Sequence, residues 1–257
     1  MFYSQKKFIM KTSNYKFLLL LHLAIICFTA CKDDDQSGTF KGEEGVYGFG
    51  KAYTYIIQNE NGIPTELGIS IDDAAFDNLS ATSGDLYLSL DYPKEASKTP
   101  FLHQYMGYAP HGHEPVGIYD KEHFDFHFYT TTEAERDAIA PEDTLKGNAF
   151  PTADYFPANS IPVGFVPSMG QHWIDVTSPE LSGAPFSSTF IWGSFDSKVN
   201  FLEPMITKKF IKENVSFEAS LKLPAKYQIT GKYYPTKYGF KHANGEYHIY
   251  LSEFVLR

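Results

Sequence analysis

Residues 123–129 read His-Phe-Asp-Phe-His-Phe-Tyr, with phenylalanine at every second position. Successive side chains of an extended chain point to opposite sides, so the pattern predicts a strand with two unlike faces. Phe124, Phe126 and Phe128 make an apolar face, while His123, Asp125, His127 and Tyr129 make one that is wet or ligating. A briefer alternation over residues 86–90 predicts another strand, ended by Tyr92-Pro93. Residues 46–57 read as a strand, Asn59-Glu60-Asn61-Gly62 supplies hairpin chemistry, and a partner strand follows around 65–71. Further strands are expected at 172–176, 188–193, 198–201, 225–232, 238–241 and 246–256, the last two joined through Asn244-Gly245. The helices are short. One opens on the acidic residues of 72–79, and one over 208–212 is capped by Thr207. A third, through 136–139, follows two overlapping capping boxes, Thr130 to Glu133 and Thr132 to Glu135, and stops at Pro141. Five prolines between 141 and 167 argue against regular structure there and predict an ordered aromatic loop or an excursion across the site. Strands outnumber helices throughout, so the expected class is α+β, mainly an antiparallel β-sheet or barrel with a few short helices.

The first thirty residues follow a different pattern. Lys6, Lys7, Lys11 and Lys16 precede an apolar run over 17–30, with no acidic residue, which is a signal-peptide layout. The run is fourteen residues long and interrupted by His22, short of the ~20 that a spanning helix needs. Phe28-Thr29-Ala30-Cys31 resembles the lipobox of bacterial lipoproteins, which predicts cleavage before Cys31 and lipid attachment to it. The expected organisation is a lipoprotein signal peptide over 1–30, an acidic tether over 31–44 and a single globular domain over 45–257. Met10-Lys11 would also open such a signal, so the translation start is Met1 or Met10. The expected location is extracytoplasmic, on the bacterial outer membrane. Lys32-Asp33-Asp34-Asp35 further resembles a surface-export signal. The membrane is then a partner through the lipid on Cys31, and a small-molecule or protein ligand stays open. The formal charge is −9 and becomes more negative once the signal's lysines are lost, which disfavours nucleic acid. Cys27 and Cys31 are the only cysteines, so the expected domain has neither a disulfide nor a cysteine metal ligand.

Chemistry concentrates in the histidines. Six of the nine, His103, His111, His113, His123, His127 and His172, lie between positions 103 and 172, with Glu114, Asp120, Asp125 and Asp175 among them. Imidazole and carboxylate are the donors of zinc, iron and manganese sites when cysteine is absent, so one divalent transition metal is the expected cofactor. Four residues of strand span about 13 Å, too far for His123 and His127 to share one ion without a bulge. The candidate ligand set is His113, His123, Asp125, His127 and His172, with one of the pairs His123/Asp125 or Asp125/His127 at its heart. His111, Glu114 and Glu203 are candidates for the second shell. If the protein is an enzyme, a metal-held water attacking a polarised bond, with Glu114 or Glu203 as base, is the simplest chemistry. The competing reading is a non-catalytic, aromatic-rich ligand- or partner-binding module whose histidines form an internal hydrogen-bond network. It would be favoured by exposed rings near Phe150, Tyr155-Phe156 and Trp192. There is no P-loop, GxGxxG or Gly-x-Ser-x-Gly motif.

Five blocks, Gly112-His113-Glu114-Pro115, Ile118-Tyr119-Asp120, residues 123–129, Met169-Gly170-Gln171-His172-Trp173 and Glu203-Pro204-Met205-Ile206-Thr207, resemble an uncharacterised bacterial group, domain-of-unknown-function family 5602. The resemblance covers roughly residues 45–254. It implies an exported single domain and transfers no catalytic residue.

Overall fold

A computed structural model describes Met1, Phe2 and residues 37–257 of the chain. The expected signal peptide from residue 3 onward, and Cys31 with it, lie outside the described residues. Three strands open the fold: β1 (Gly38–Tyr47), β2 (Gly50–Gln58) and β3 (Pro64–Asp72). Helix α1 (Asp73–Asp77), capped by the Asp72 carboxylate on the Ala75 amide, leads to β4 (Leu86–Asp91), β5 (His103–Ala109) and β6 (His123–Tyr129). Helices α2 (Glu133–Asp137) and α3 (Thr144–Gly147) precede β7 (Ser160–Val166), β8 (Gly170–Asp175), β9 (Ser188–Phe195) and β10 (Lys198–Thr207). After α4 (Lys208–Glu213) come β11 (Ser216–Ser220), β12 (Tyr233–Tyr234), β13 (Lys237–Ala243), β14 (Glu246–Ser252) and β15 (Val255–Leu256).

The strands make two large antiparallel sheets, ordered β1-β2-β3-β14-β13-β11 and β4-β5-β6-β10-β9-β8-β7, with β12 and β15 as a small ribbon. Neither large sheet closes into a barrel, so the α+β class expected from the pattern takes its open-sheet form. One core joins the sheets: Phe124, Phe126, Phe128 and Leu202 from the seven-stranded sheet meet Leu67, Ile69, Phe240 and Ile249 from the six-stranded one. Phe76 of α1 stacks on both Phe124 and Tyr247, tying the helix to the two layers. Burying a ring of this size stabilises by about 1.5–3 kcal/mol, which is why the phenylalanine face of β6 sets the orientation of the whole strand.

Several expected boundaries move. The tether was expected to run to residue 44, yet Gly38–Tyr47 forms β1, because its main chain completes a ladder with β2. Its polar, largely exposed side chains suit an edge strand, which charges protect from further pairing. Residues 46–57 therefore divide between two strands at Gly48-Phe49. The proline-rich stretch is not all loop: β7 forms an edge there, and its register shifts beside Pro162, which has no amide hydrogen to give. Residues 225–232 form no strand: the Lys226 amide donates to the Asp154 carbonyl and the Gly231 amide to that of Arg257. The expected strand at 198–201 continues to Thr207, so the Glu203-Pro204 block lies within the sheet. The Thr132-Glu135 box does cap α2, and Thr207 caps α4 through the Phe210 amide.

Candidate metal centre

Strand β6 lies between β5 and β10 in the seven-stranded sheet. With its phenylalanines in the core, His123, Asp125 and His127 are turned to the opposite face, and all three are buried there. The register on β10 pairs Leu202 with Phe128 and Met205 with Asp125, which sets Glu203 opposite His127. Across β9, His172 is opposite Gly193 and Glu203 opposite Ile191. The last contributor, His113, comes from the turn after β5. Gly112 makes that turn possible at φ +67°, where a Cβ would sit 2.0 Å from the Tyr119 carbonyl oxygen. The turn is closed by the His113 amide donating to that same carbonyl.

Two groups of donors result. In the first, Nε2 of His113 lies 3.1 Å from Nε2 of His123 and 3.7 Å from Oδ1 of Asp125, and the His123–Asp125 distance is 3.0 Å. In the second, Glu203 Oε1 lies 3.3 Å from His127 Nε2 and Glu203 Oε2 lies 3.8 Å from His172 Nε2. The donor atoms within each group all lie within 4.8 Å of one another. Four ligands at ~2.0–2.1 Å around a tetrahedral ion are about 3.3 Å apart; the distances in the first group bracket that spacing, and those in the second start at it and run longer.

The hydrogen bonding of the first group fixes its chemistry further. Nδ1 of His113 sits 2.8 Å from the Glu114 carbonyl oxygen, and Nδ1 of His123 sits 2.6 Å from that of Lys121. A carbonyl only accepts, so both Nδ1 atoms carry the hydrogen. Two neutral imidazoles so held would present bare lone pairs to each other at Nε2, an arrangement that requires a cation between them, whether proton or metal. Anchoring Nδ1 on a carbonyl is also how metal-bound histidines are oriented. Burial pushes the Asp125 carboxyl up, but His123 and His113 outweigh it and hold it well below the usual carboxylate range. His113 is half-exposed; burial opposes its charging, and the Asp125 carboxylate overcomes that and raises its pKa.

The second group lies deeper. Burial lowers His127 to about 3, with His172 adding repulsion, and burial lowers His172 to about 4. Burial, then the nearby Asp125 charge, pushes the Glu203 carboxyl well above its ordinary value. Backbone carbonyls of Tyr105 and of Gly164 and Gly170 lie beside the His127 and His172 rings, while Nε2 of His127 and Oε2 of Glu203 are buried without an aligned hydrogen bond. Such atoms cost about 1–3 kcal/mol each when nothing satisfies them. The Phe201 ring packs on both imidazoles, 4.9 Å from His127 and 5.0 Å from His172, in space that a side chain at Gly193 would fill.

Both groups open on a cavity of about 670 Å³, lined by His113, Asp125, His127, His172 and Glu203 and also by Glu114. His123 and His127 fall in different groups, as the strand spacing predicts, and the expected site, one of the pairs His123/Asp125 or Asp125/His127 joined by both His113 and His172, is divided between two clusters. Glu203, expected in the second shell, is a member of the second cluster. Glu114 lies on the cavity wall, where its carboxylate accepts from the Val116 amide, whereas His111 is exposed and belongs to neither cluster. His103, on β5 opposite Tyr129, bonds the Thr131 carbonyl and stacks on that tyrosine at 4.8 Å. Asp175 pairs with Lys222, away from these donors.

Comparison with family models, with curated proteins and with solved structures gives no match for this chain, so the reading of the site rests on its own geometry.

Proposed function

We propose that this protein is a lipid-anchored, extracytoplasmic metal-binding domain in which the His113/His123/Asp125 and His127/His172/Glu203 clusters each hold one divalent transition ion. The observation that carries the reading is the pair of Nε2 atoms 3.1 Å apart with both Nδ1 atoms committed to carbonyls. A proton shared between the rings would pair the two imidazoles of the first cluster, but it leaves Asp125 Oδ1 there, and Nε2 of His127 and Oε2 of Glu203 in the second, without aligned partners. Each cluster supplies three protein ligands and faces a cavity. That is the pattern of catalytic sites, which keep a coordination position open, and not of closed structural ones. An ion there would lower the pKa of a held water, and Glu114, which lines the same cavity, is the carboxylate we propose as its base.

The aromatic-module reading has less behind it, since Phe156 and Trp192 are core residues while Phe150 stays exposed. Imidazole and carboxylate without cysteine favour zinc, iron or manganese. The purified protein, stripped with a chelator and then offered each of these ions, should take up about two per chain and melt at a higher temperature. No uptake and no shift with any of the three would remove the proposal. The lipid anchor rests on the early lysines, the apolar run over 17–30 and Phe28-Thr29-Ala30-Cys31. Cys31→Ser should abolish incorporation of labelled fatty acid, and continued labelling of that variant would refute the anchor.

A further inference from the structure

The walls of the cavity limit what can enter it. Its volume, about 670 Å³, falls within the ~300–1,000 Å³ of sites for drug-sized molecules. Around the two clusters the lining is mainly apolar, with Tyr87, Val163, Val166, Ile174, Ile191 and Met205 among its residues. Among the described residues, no lysine or arginine lines it, and the remaining charges are the carboxylates of Asp85 and Glu114. A molecule bearing several phosphates or carboxylates would find no basic partner beyond the ions, although such groups are normally met by arginine and lysine.

The apolar residues are also in register with the donors. Met205 is directly opposite Asp125 across the β6–β10 ladder, and Ile191 is opposite Glu203 across β9–β10. Neighbouring strands lie about 4.8 Å apart, so a group bound to either ion has hydrocarbon one strand away. Ile174, Ile191 and Met205 pack with Tyr119 and Phe186 into a buried cluster of their own, which makes that part of the wall firm. Val163 and Val166, on edge strand β7, are 49% and 38% exposed and form the rim.

We infer that the cavity takes a small molecule with a ring-sized apolar body and one oxygen-donor head, the head on one of the two ions and the body against Ile174, Ile191 and Met205. The inference rests on the metal-centre reading and adds the class of ligand to it. Calorimetric titration of the zinc-loaded protein with benzohydroxamate and acetohydroxamate tests it, because the two share a head and differ only in the body. The expected result is at least tenfold tighter binding of benzohydroxamate. Val163→Asp, a change at an exposed rim position, should reduce that ratio at least threefold and leave acetohydroxamate unaffected. Equal affinities for the two compounds, no binding of either by protein shown to contain zinc, or adenosine triphosphate binding as tightly as benzohydroxamate would each overturn the inference. Metal content measured on the same samples separates the two failures. Protein that takes up no zinc sinks the metal-centre reading and this inference with it, whereas zinc-containing protein that ignores the ring sinks this inference alone.

Discussion

At the scale of single residues, the informative atoms are those whose bonding is incomplete. Glu203 is the sharpest case, a carboxyl buried between His127 and His172 with Oε2 unpartnered. If it is a metal ligand, Glu203→Gln should lower zinc content from two ions towards one. In the metal-free state the same change should leave the melting temperature unchanged or higher, because burial already disfavours the charged form. A carboxylate that served to hold two charged histidines would behave differently, since removing one partner of a buried pair costs about 3–5 kcal/mol. Thermal melts of the stripped variant, read beside its zinc content, distinguish the two. The sequence places His113, His123, Asp125, His127 and His172 among the donors, but it does not reveal their division into two clusters. That division depends on register: alternation puts Asp125 and His127 on one face, and only the β6–β10 and β8–β9 pairings show which neighbours each one meets. Glu203 is legible as a supporting carboxylate or a base near the cluster, but not as a member of it, since nothing local signals that its strand continues through Pro204.

At the scale of elements, legibility follows one-sidedness. Strand β6 is readable because its two faces differ in chemistry, phenylalanine against histidine and aspartate. The capping box of α2 and the Asn244-Gly245 turn, both residues at positive φ, are readable because they use local chemistry that few other residues supply. Strand β5 escapes notice for the opposite reason. Its residues are buried on both faces, so no alternation marks them. Strand β1 is missed because its middle, Lys41-Gly42-Glu43-Glu44-Gly45, is polar and glycine-rich, with Phe40 and Tyr47 reaching the core only at its ends. Residues 225–232 carry strand-like composition, yet the Lys226 and Gly231 amides go to the Asp154 and Arg257 carbonyls and not to a ladder. The site therefore stands on a strand that local pattern identifies, completed by partners that only tertiary pairing supplies.

At the scale of the whole molecule, the metal-free protein carries a built-in sensitivity to acid. His103, His127 and His172 are held near 4, 3 and 4 by burial, against about 6.5 in an unfolded chain. Between these values the unfolded state binds more protons, so the stability these groups confer is present above pH 6.5 and lost as pH falls. Glu203, raised by burial, works in the other direction, its contribution declining as pH rises above its unfolded value. His248, lowered mainly by burial, adds to the three, and His113, whose burial is outweighed by the raising effect of Asp125, opposes them together with Glu203; the lowered imidazoles are the majority, so the metal-free protein should lose stability as pH falls from about 6.5 to 4.5. Denaturant titrations across that range would check this, and a flat or rising stability on acidification would refute the assignment of buried, neutral imidazoles. Bound ions should steepen the loss, because protons then compete directly for the ligands. The most direct measurement of the central claim is an anomalous difference map from crystals grown with zinc. The account predicts two peaks, one at ~2.0–2.2 Å from Nε2 of His113, Nε2 of His123 and an Asp125 oxygen, the other at the same distance from His127, His172 and Glu203. A map without density at either position, in crystals whose solution contains free zinc, would contradict it.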